Sequence, residues 1–357
     1  MHNYKIGWDI GGAHVKAAVI DDAENLIGVY QQPCPLWLGL EHLQLAVNII
    51  LQLLTNQGVT KAHCQHAITM TGELADLFAN RDDGVRQIIV TMEQLLLSKN
   101  CYVFAGQYGF LPLEQVHPVH FIAIASANWL ASTLYIARQV DVGLLVDIGS
   151  TTTDILLLSG SQVIAQGYTD YQRLVSGELV YTGIVRTPVM AITQSANDQG
   201  QKVGLMAEHF ATSSDIYRLT GELNEDHDQF QTADGAEKTS AASARRLSRM
   251  IGCDYLPEQL ERWQQFAYDI RSQQLLRLQA SCELQLSRID KKTNITLIGA
   301  GIGRFLVEAL AVNLGYRYQD FNSFVPQADL QTGMSPADCA PAFAVAKLLS
   351  RTLNRLD

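Results

Sequence analysis

The sequence of 357 residues predicts an α/β protein. Short apolar runs alternate with longer stretches whose apolar residues recur every three or four positions, the spacing of a buried helix face. Two of the runs share one plan, a strand, an Asp-Ile-Gly turn and a second strand, at residues 6–20 and again at 144–158. A third glycine turn, at 295–305, joins a strand to a helix start. The length allows two domains or one large α/β unit, either with a real core.

Taken in order, residues 4–32 read as three short strands with turns at Gly11-Gly12 and Asp21-Asp22. Leu40, Leu43, Ala46, Val47, Ile50, Leu51 and Leu54 mark one helix face over 40–57. A strand at 67–70, a helix at 83–97 and a strand at 102–105 follow. Residues 106–119 read as a loop or small hairpin, and 123–139 as one small-residue helix. After the second hairpin come a short strand at 163–165 and a turn-rich stretch at 168–183. Residues 195–201 and 222–240 are polar and read as loops. Helices are expected over 239–251 and 256–288, the second uninterrupted by Pro or Gly after Pro257, and a last one from about 336 to 356.

Composition removes several classes of function. At 47% hydrophobic and 17% charged the chain is globular, with no signature of disorder. A formal charge of −10 without Lys/Arg clusters argues against nucleic acid or an anionic membrane as partner. A phosphate site in such a chain must bring its own positive charge, most simply Mg²⁺. The start runs directly into a strand, leaving no room for a signal peptide, and no segment has the length of a membrane span. Six scattered cysteines without a CxxC pair fit a reducing cytoplasm.

The second hairpin carries the clearest chemistry. Gly149 lets a ligand approach the backbone, and Ser150, Thr151, Thr152 and Thr153 offer hydroxyls beside turn N–H groups able to converge on an anion. Asp147 and Asp154 would repel a bare phosphate, so they suit a phosphate that arrives with a divalent cation. Asp9 holds the matching position in the first hairpin, so Asp9, Asp147 and Asp154 are the expected Mg²⁺ and phosphate group, with Asp154 also a catalytic candidate. Gly11 and Gly12 would contact phosphate, and Lys16 would neutralise it or simply stand exposed on its strand. The pairs His63/His66 and His117/His120 look like zinc ligands but, three apart on a strand, would point to opposite faces. Three x-Gly-Glu-Leu tetrapeptides, at Thr71, Ser176 and Thr220, read as local turn or helix starts; Glu178 is the exception singled out, because it follows the second hairpin closely.

This ordered set of two Asp-x-Gly hairpins and a late strand–glycine–helix turn resembles the actin, sugar kinase and heat-shock ATPase superfamily. The resemblance implies two ribonuclease-H-like (actin-like ATPase) domains, at 1–140 and 141–335, a ligand in the cleft between them, and a C-terminal helix at 336–357 folding back on the first. The hairpins would be its two phosphate loops, and Gly299, Ala300 and Gly301 its adenosine loop. Asp-Ile-Gly-Ser-Thr-Thr-Thr-Asp at 147–154 and the text at 210–221 look most like the hydantoinase A and oxoprolinase branch. Within it the chain is most similar to the short tetrahydromethanopterin-linked C1-transfer family of methanofuran biosynthesis. That resemblance implies a transferase in which a phenolic tyramine- or tyrosine-type substrate displaces diphosphate from an aminomethylfuran carrier. His209, Asp215 or Glu178 would take the phenolic proton. Ala13-His14 departs from the family habit of Thr, Ser or Asn beside the first loop, which speaks against kinase chemistry there. An ATP-dependent kinase or hydantoinase-type amidohydrolase, and a non-catalytic nucleotide-binding partner, stay open as alternatives, as does a homodimer.

Overall fold

The computed structural model describes residues 4–96, 98–290, 294–326 and 334–354. The first three residues, and the last three of the expected C-terminal helix, lie outside the described residues. The chain forms two compact units: residues 1–143, 158–176 and 320–357 make unit 1, and residues 144–157 and 177–319 make unit 2.

Unit 1 is built on a six-stranded sheet. β1 (Tyr4–Ile10), β2 (His14–Asp21) and β3 (Leu26–Pro33) form an antiparallel meander. After α1 (Leu40–Asn56), β4 (Cys64–Met70) pairs parallel to β1; after α2 (Arg81–Leu95), β5 (Cys101–Phe104) pairs parallel to β4. β6 (Phe110–Pro112) turns back on β5, so the order is β3-β2-β1-β4-β5-β6. Ile6, Trp8 and Ile10 of β1 are fully buried, as a central strand covered on both faces requires. Leu43, Ala46, Val47, Ile50 and Leu54 form the buried face of α1, the face their spacing predicts.

The segment expected as one helix at 123–139 is two: α3 (Pro118–Ile124) and α4 (Asn128–Ala137), bent by 64°. Ser126 makes the break, because its φ of 50° is left-handed and no helix continues through it. No single helix among the described residues is long and apolar enough to cross a membrane.

The chain then runs through β7 (Val142–Ile148), β8 (Thr153–Ser159), the short β9 (Gln162–Val163) and α5 (Asp170–Ser176). That last helix occupies a stretch whose composition reads only as turns. In unit 2, β10 (Leu179–Val180) joins the β7–β8 hairpin, followed by α6 (Val189–Ile192). Residues 195–201, expected as a loop, belong to a hairpin of β11 (Ser195–Asp198) and β12 (Gln201–Gly204). Its turn places both Gln199 and Gly200 at positive φ, 51° and 83°, the geometry that suits a two-residue hairpin. A glutamine there is no turn signal in a sequence.

α7 (Ser213–Leu219), α8 (Ser240–Arg249) and α9 (Leu260–Leu286) pack Ile216, Leu247, Trp263, Phe266 and Ile270 into one core. β13 (Thr296–Ala300), α10 (Arg304–Leu314) and β14 (Arg317–Asp320) complete a sheet of order β10-β8-β7-β13-β14. That order repeats β3-β2-β1-β4-β5 of unit 1, so each unit carries the ribonuclease-H-like arrangement. The chain ends in unit 1 with α11 (Ala340–Leu353), which lies directly on β1. A Cβ added at Gly7 would stand 1.9 Å from the carbonyl oxygen of Ala342, so only glycine permits that approach.

Candidate functional site

In unit 2 the second hairpin turns at Gly149–Thr152, where the Gly149 N–H donates to the Thr152 carbonyl at 2.9 Å. This bond sets Ile148 opposite Thr153 and Asp147 opposite Asp154, so the two carboxylates share one face of the hairpin. Gly301, just past β13, lies under Asp147: a Cβ there would meet Asp147 Oδ1 at 2.5 Å and the Ile148 carbonyl at 2.3 Å, and its φ is +76°. The Gly303 N–H donates to the Ile148 carbonyl. Gly299 is covered instead by Tyr318, whose ring would lie 2.8 Å from an added Cβ. Gly299, Ala300 and Gly301 are all buried. Gly301 packs against the second loop, and Gly299 against Tyr318.

A second turn lies flat across this loop. The Ile184 N–H donates to the Gly149 carbonyl, and those of Val185 and Arg186 donate to the Ser150 carbonyl. The contact is so close that a Cβ at Gly183 would fall 2.5 Å from the Thr151 nitrogen. Gln274 of α9 pins the turn, donating to Thr182 Oγ1 and the Gly183 carbonyl, and is itself held by the Tyr217 hydroxyl. Thr187 Oγ1 accepts from the Gly183 N–H. This rigid turn delivers Arg186 to the loop, with its guanidinium 3.5 Å from Thr151 Oγ1 and 4.9 Å from the centre of the Phe230 ring. Burial holds the Arg186 pKa below its ordinary value. Arg186 carries no signal in the sequence beyond a glycine three residues before it. Its planar fork beside turn hydroxyls and N–H groups is what diphosphate recognition uses.

In unit 1 the first hairpin repeats the turn, with the Gly11 N–H donating to the His14 carbonyl at 2.9 Å. Here Asp9, 7% exposed, faces Lys16. Lys16 is half-buried and donates to the Asp338 carbonyl at 2.7 Å, so it is not an exposed strand lysine. Gly11 and Gly12 are backed by the turn after β4 rather than open all round; a Cβ on Gly72 would meet the Gly11 carbonyl carbon at 3.1 Å.

Among the described residues no three His, Cys, Asp or Glu side chains gather into a metal-binding group; of the expected trio, Asp9 belongs to unit 1 and Asp147 and Asp154 to unit 2. Asp147 and Asp154 are the pair the fold brings together. The three proton-transfer candidates divide differently. Asp215 is 1% exposed and caps α7 through the Thr212 N–H, while Ser243 and Arg246 donate to its other oxygen at 2.7 and 2.8 Å. That is a buried structural ion pair with both oxygens engaged. His209 stands exposed in the bend after β12. Glu178 is fully buried against Arg288 at 3.3 Å, and its carbonyl accepts from Ile155 of β8.

The strand order repeated in two units, with a glycine-turn hairpin leading each sheet, defines an actin-like ATPase fold. Acetone carboxylase in a nucleotide-free structure shares it, with a TM-score of 0.62 at 11% identity, over 97% of this chain and 70% of that one. The sequence model of the hydantoinase/oxoprolinase family matches residues 65–342, and the chain belongs to that family. It is 30% identical, over 98% of each chain, to the (4-{4-[2-(gamma-L-glutamylamino)ethyl]phenoxymethyl}furan-2-yl)methanamine synthase of Methanocaldococcus jannaschii. A synthase of the same name from Methanococcus vannielii is 30% identical over 34% of this chain and 54% of that relative. These relatives are named as enzymes.

Proposed function

We propose that this protein is a transferase joining a phenolic oxygen of a tyramine- or tyrosine-type substrate to the furfuryl carbon of an aminomethylfuran diphosphate. What carries the reading is the full-length similarity to a synthase whose product, by its name, holds a phenoxymethyl–furan ether. The ether C–O bond forms as the bond from the furfuryl carbon to the diphosphate breaks, and the diphosphate leaves with the electron pair. A furfuryl carbon tolerates positive charge, so stabilising the leaving group does most of the work.

The second loop suits that task. The N–H groups and hydroxyls of Ser150, Thr151 and Thr152 would bind the diphosphate, and Arg186 would clamp it. Asp147 and Asp154 side by side match the one or two carboxylates that Mg²⁺ takes while phosphates and water complete its shell. Mg²⁺ bound there would neutralise charge on the departing diphosphate. The ether product would feed methanofuran-type C1 carriers made in the cytoplasm for tetrahydromethanopterin-linked C1 transfer.

The test is diphosphate release from an aminomethylfuran diphosphate with Mg²⁺, with and without a tyramine-type phenol. Phenol-dependent release with an ether product supports the reading. ATP hydrolysis without diphosphate release would replace it with an ATP-dependent enzyme of the hydantoinase type. Metal binding has its own readout: Mn²⁺ as a spectroscopic probe should bind the wild type and not Asp147→Asn.

A further inference from the structure

Between α7 and α8 of unit 2, residues 220–239 form a loop that includes one short helical turn, Glu225–His227. Connections longer than about 12–15 residues are uncommon in compact domains and usually serve function. This one is gripped on both arms by the two helices it joins. Arg218 of α7 forks onto Glu225 through two bonds of 2.8 Å and reaches Asp228 at 2.6 Å. Arg246 of α8 takes Asp234 at 3.0 Å and the Glu237 carbonyl at 3.3 Å. Asp215 ties the two arginines together, 2.8 Å from Arg246 and 3.7 Å from Arg218. The side chains of Asp215, Arg218, Asp228 and Arg246 are only 0–4% exposed. Buried ion pairs stabilise little once desolvation is counted. What this group does by its geometry is hold both arms of the loop.

Between the arms stands Phe230, half-buried, with the Arg186 guanidinium over its ring at 4.9 Å from the centre. The same guanidinium lies 3.5 Å from Thr151 Oγ1 of the second loop. A guanidinium's N–H donors lie in its plane, so a partner on its face orients it without taking a donor. A bidentate carboxylate would hold it as firmly but would take two donors and offset its charge. An aromatic backing therefore suits an arginine whose donors serve a ligand.

We propose that Phe230 is the positioning residue for Arg186, setting the plane of its guanidinium toward a diphosphate at the second loop, with the anchored loop at 220–239 holding the ring in place. The proposal rests on the diphosphate reading above. In this role Phe230 acts only through Arg186, so its effect should vanish when the guanidinium plane is gone. General support of the fold would not behave in that way.

The test uses the full chain and inorganic diphosphate with Mg²⁺, titrated by calorimetry. Phe230→Leu should weaken binding by about 2–30-fold, the span of cation–π contacts from exposed to desolvated. Phe230→Tyr, which keeps the ring, should bind as the wild type does. Arg186→Lys keeps the charge and removes the plane, and in that background Phe230→Leu should cost less than about twofold. A second readout needs no ligand: the Phe230 ring current should move the Arg186 Nε–H resonance upfield in NMR spectra, and Phe230→Leu should return it. A Phe230→Leu protein with wild-type affinity overturns the proposal, as do losses that simply add in the double variant. A wild type that shows the ring-current shift yet binds no diphosphate sinks the diphosphate reading, and this role of Phe230 with it.

Discussion

The two glycine-turn hairpins are built alike and charged differently. Each turns on one bond of the same length, from Gly11 to His14 and from Gly149 to Thr152, and each carries an aspartate two residues before its glycine. In unit 1 the residue facing that aspartate is Lys16; in unit 2 it is Asp154. The first hairpin balances its own carboxylate. The second concentrates two, beside the half-buried Arg186, and so suits a ligand that brings a cation and an anion together. A duplicated fold thus divides its labour by a single position on the return strand.

The largest effect should come from the strand rather than the turn. Two residues before the aspartate, β1 has Gly7 and β7 has Leu145. Gly7 lets the α11 backbone rest on the strand, whereas Leu145, 1% exposed, fills the same position with a side chain. Gly7→Ala should cost about 3 kcal/mol or more through overpacking, and Leu145→Ala about 2–5 kcal/mol through a cavity. Urea midpoints measure both. A Gly7→Ala protein as stable as wild type would show that α11 does not press on β1.

Next comes the swap that turns the second hairpin into the first. Asp154→Lys should retain the fold, since an Asp–Lys pair already sits in the same register of β1 and β2. It should abolish Mn²⁺ binding and lower diphosphate release by about 10²–10³-fold, the range seen when one preorganised charge-stabilising group is lost. Wild-type release in this variant would break the division of labour outright.

Glu73 separates the units in another way. Its carboxyl is raised from 4.5 to about 7, chiefly by burial. A group held protonated by the fold adds stability below its unfolded pKa and loses it as pH rises through its folded pKa. Its contribution should therefore fall between about pH 4.5 and 7, and Glu73→Gln should flatten that slope in thermal melts across the window. A slope that survives the substitution belongs to another group.

The strands, the α1 face and the two turns were legible because periodicity and glycine report backbone geometry directly. Ser126 and Gln199 were not, because neither residue type announces a positive φ. Arg186 and Glu73 escaped for a different reason. Each gains its environment from partners distant in sequence, Arg186 from Gln274 acting through Thr182 and Gly183, Glu73 from Ser126 and Asp170. The partner of Asp215 was hidden on the same ground: Arg246, which donates to it, stands thirty-one residues on.

The smallest effect sharpens the comparison most. Lys16 faces Asp9 and donates to the Asp338 carbonyl in the turn that leads into α11. Lys16→Met keeps the stem packed and removes only the charge and the hydrogen bond. If the first hairpin is self-balanced, the change should cost about 1–2 kcal/mol of stability and alter kcat for diphosphate release by no more than a few-fold. Urea midpoints and initial rates on one preparation separate the two. A hundredfold fall in rate with an unchanged midpoint would instead make Lys16 a phosphate ligand. The first hairpin would then bind an anion in its own right, and the asymmetry between Lys16 and Asp154 would distinguish two ligand loops, not a ligand loop from a self-balanced one.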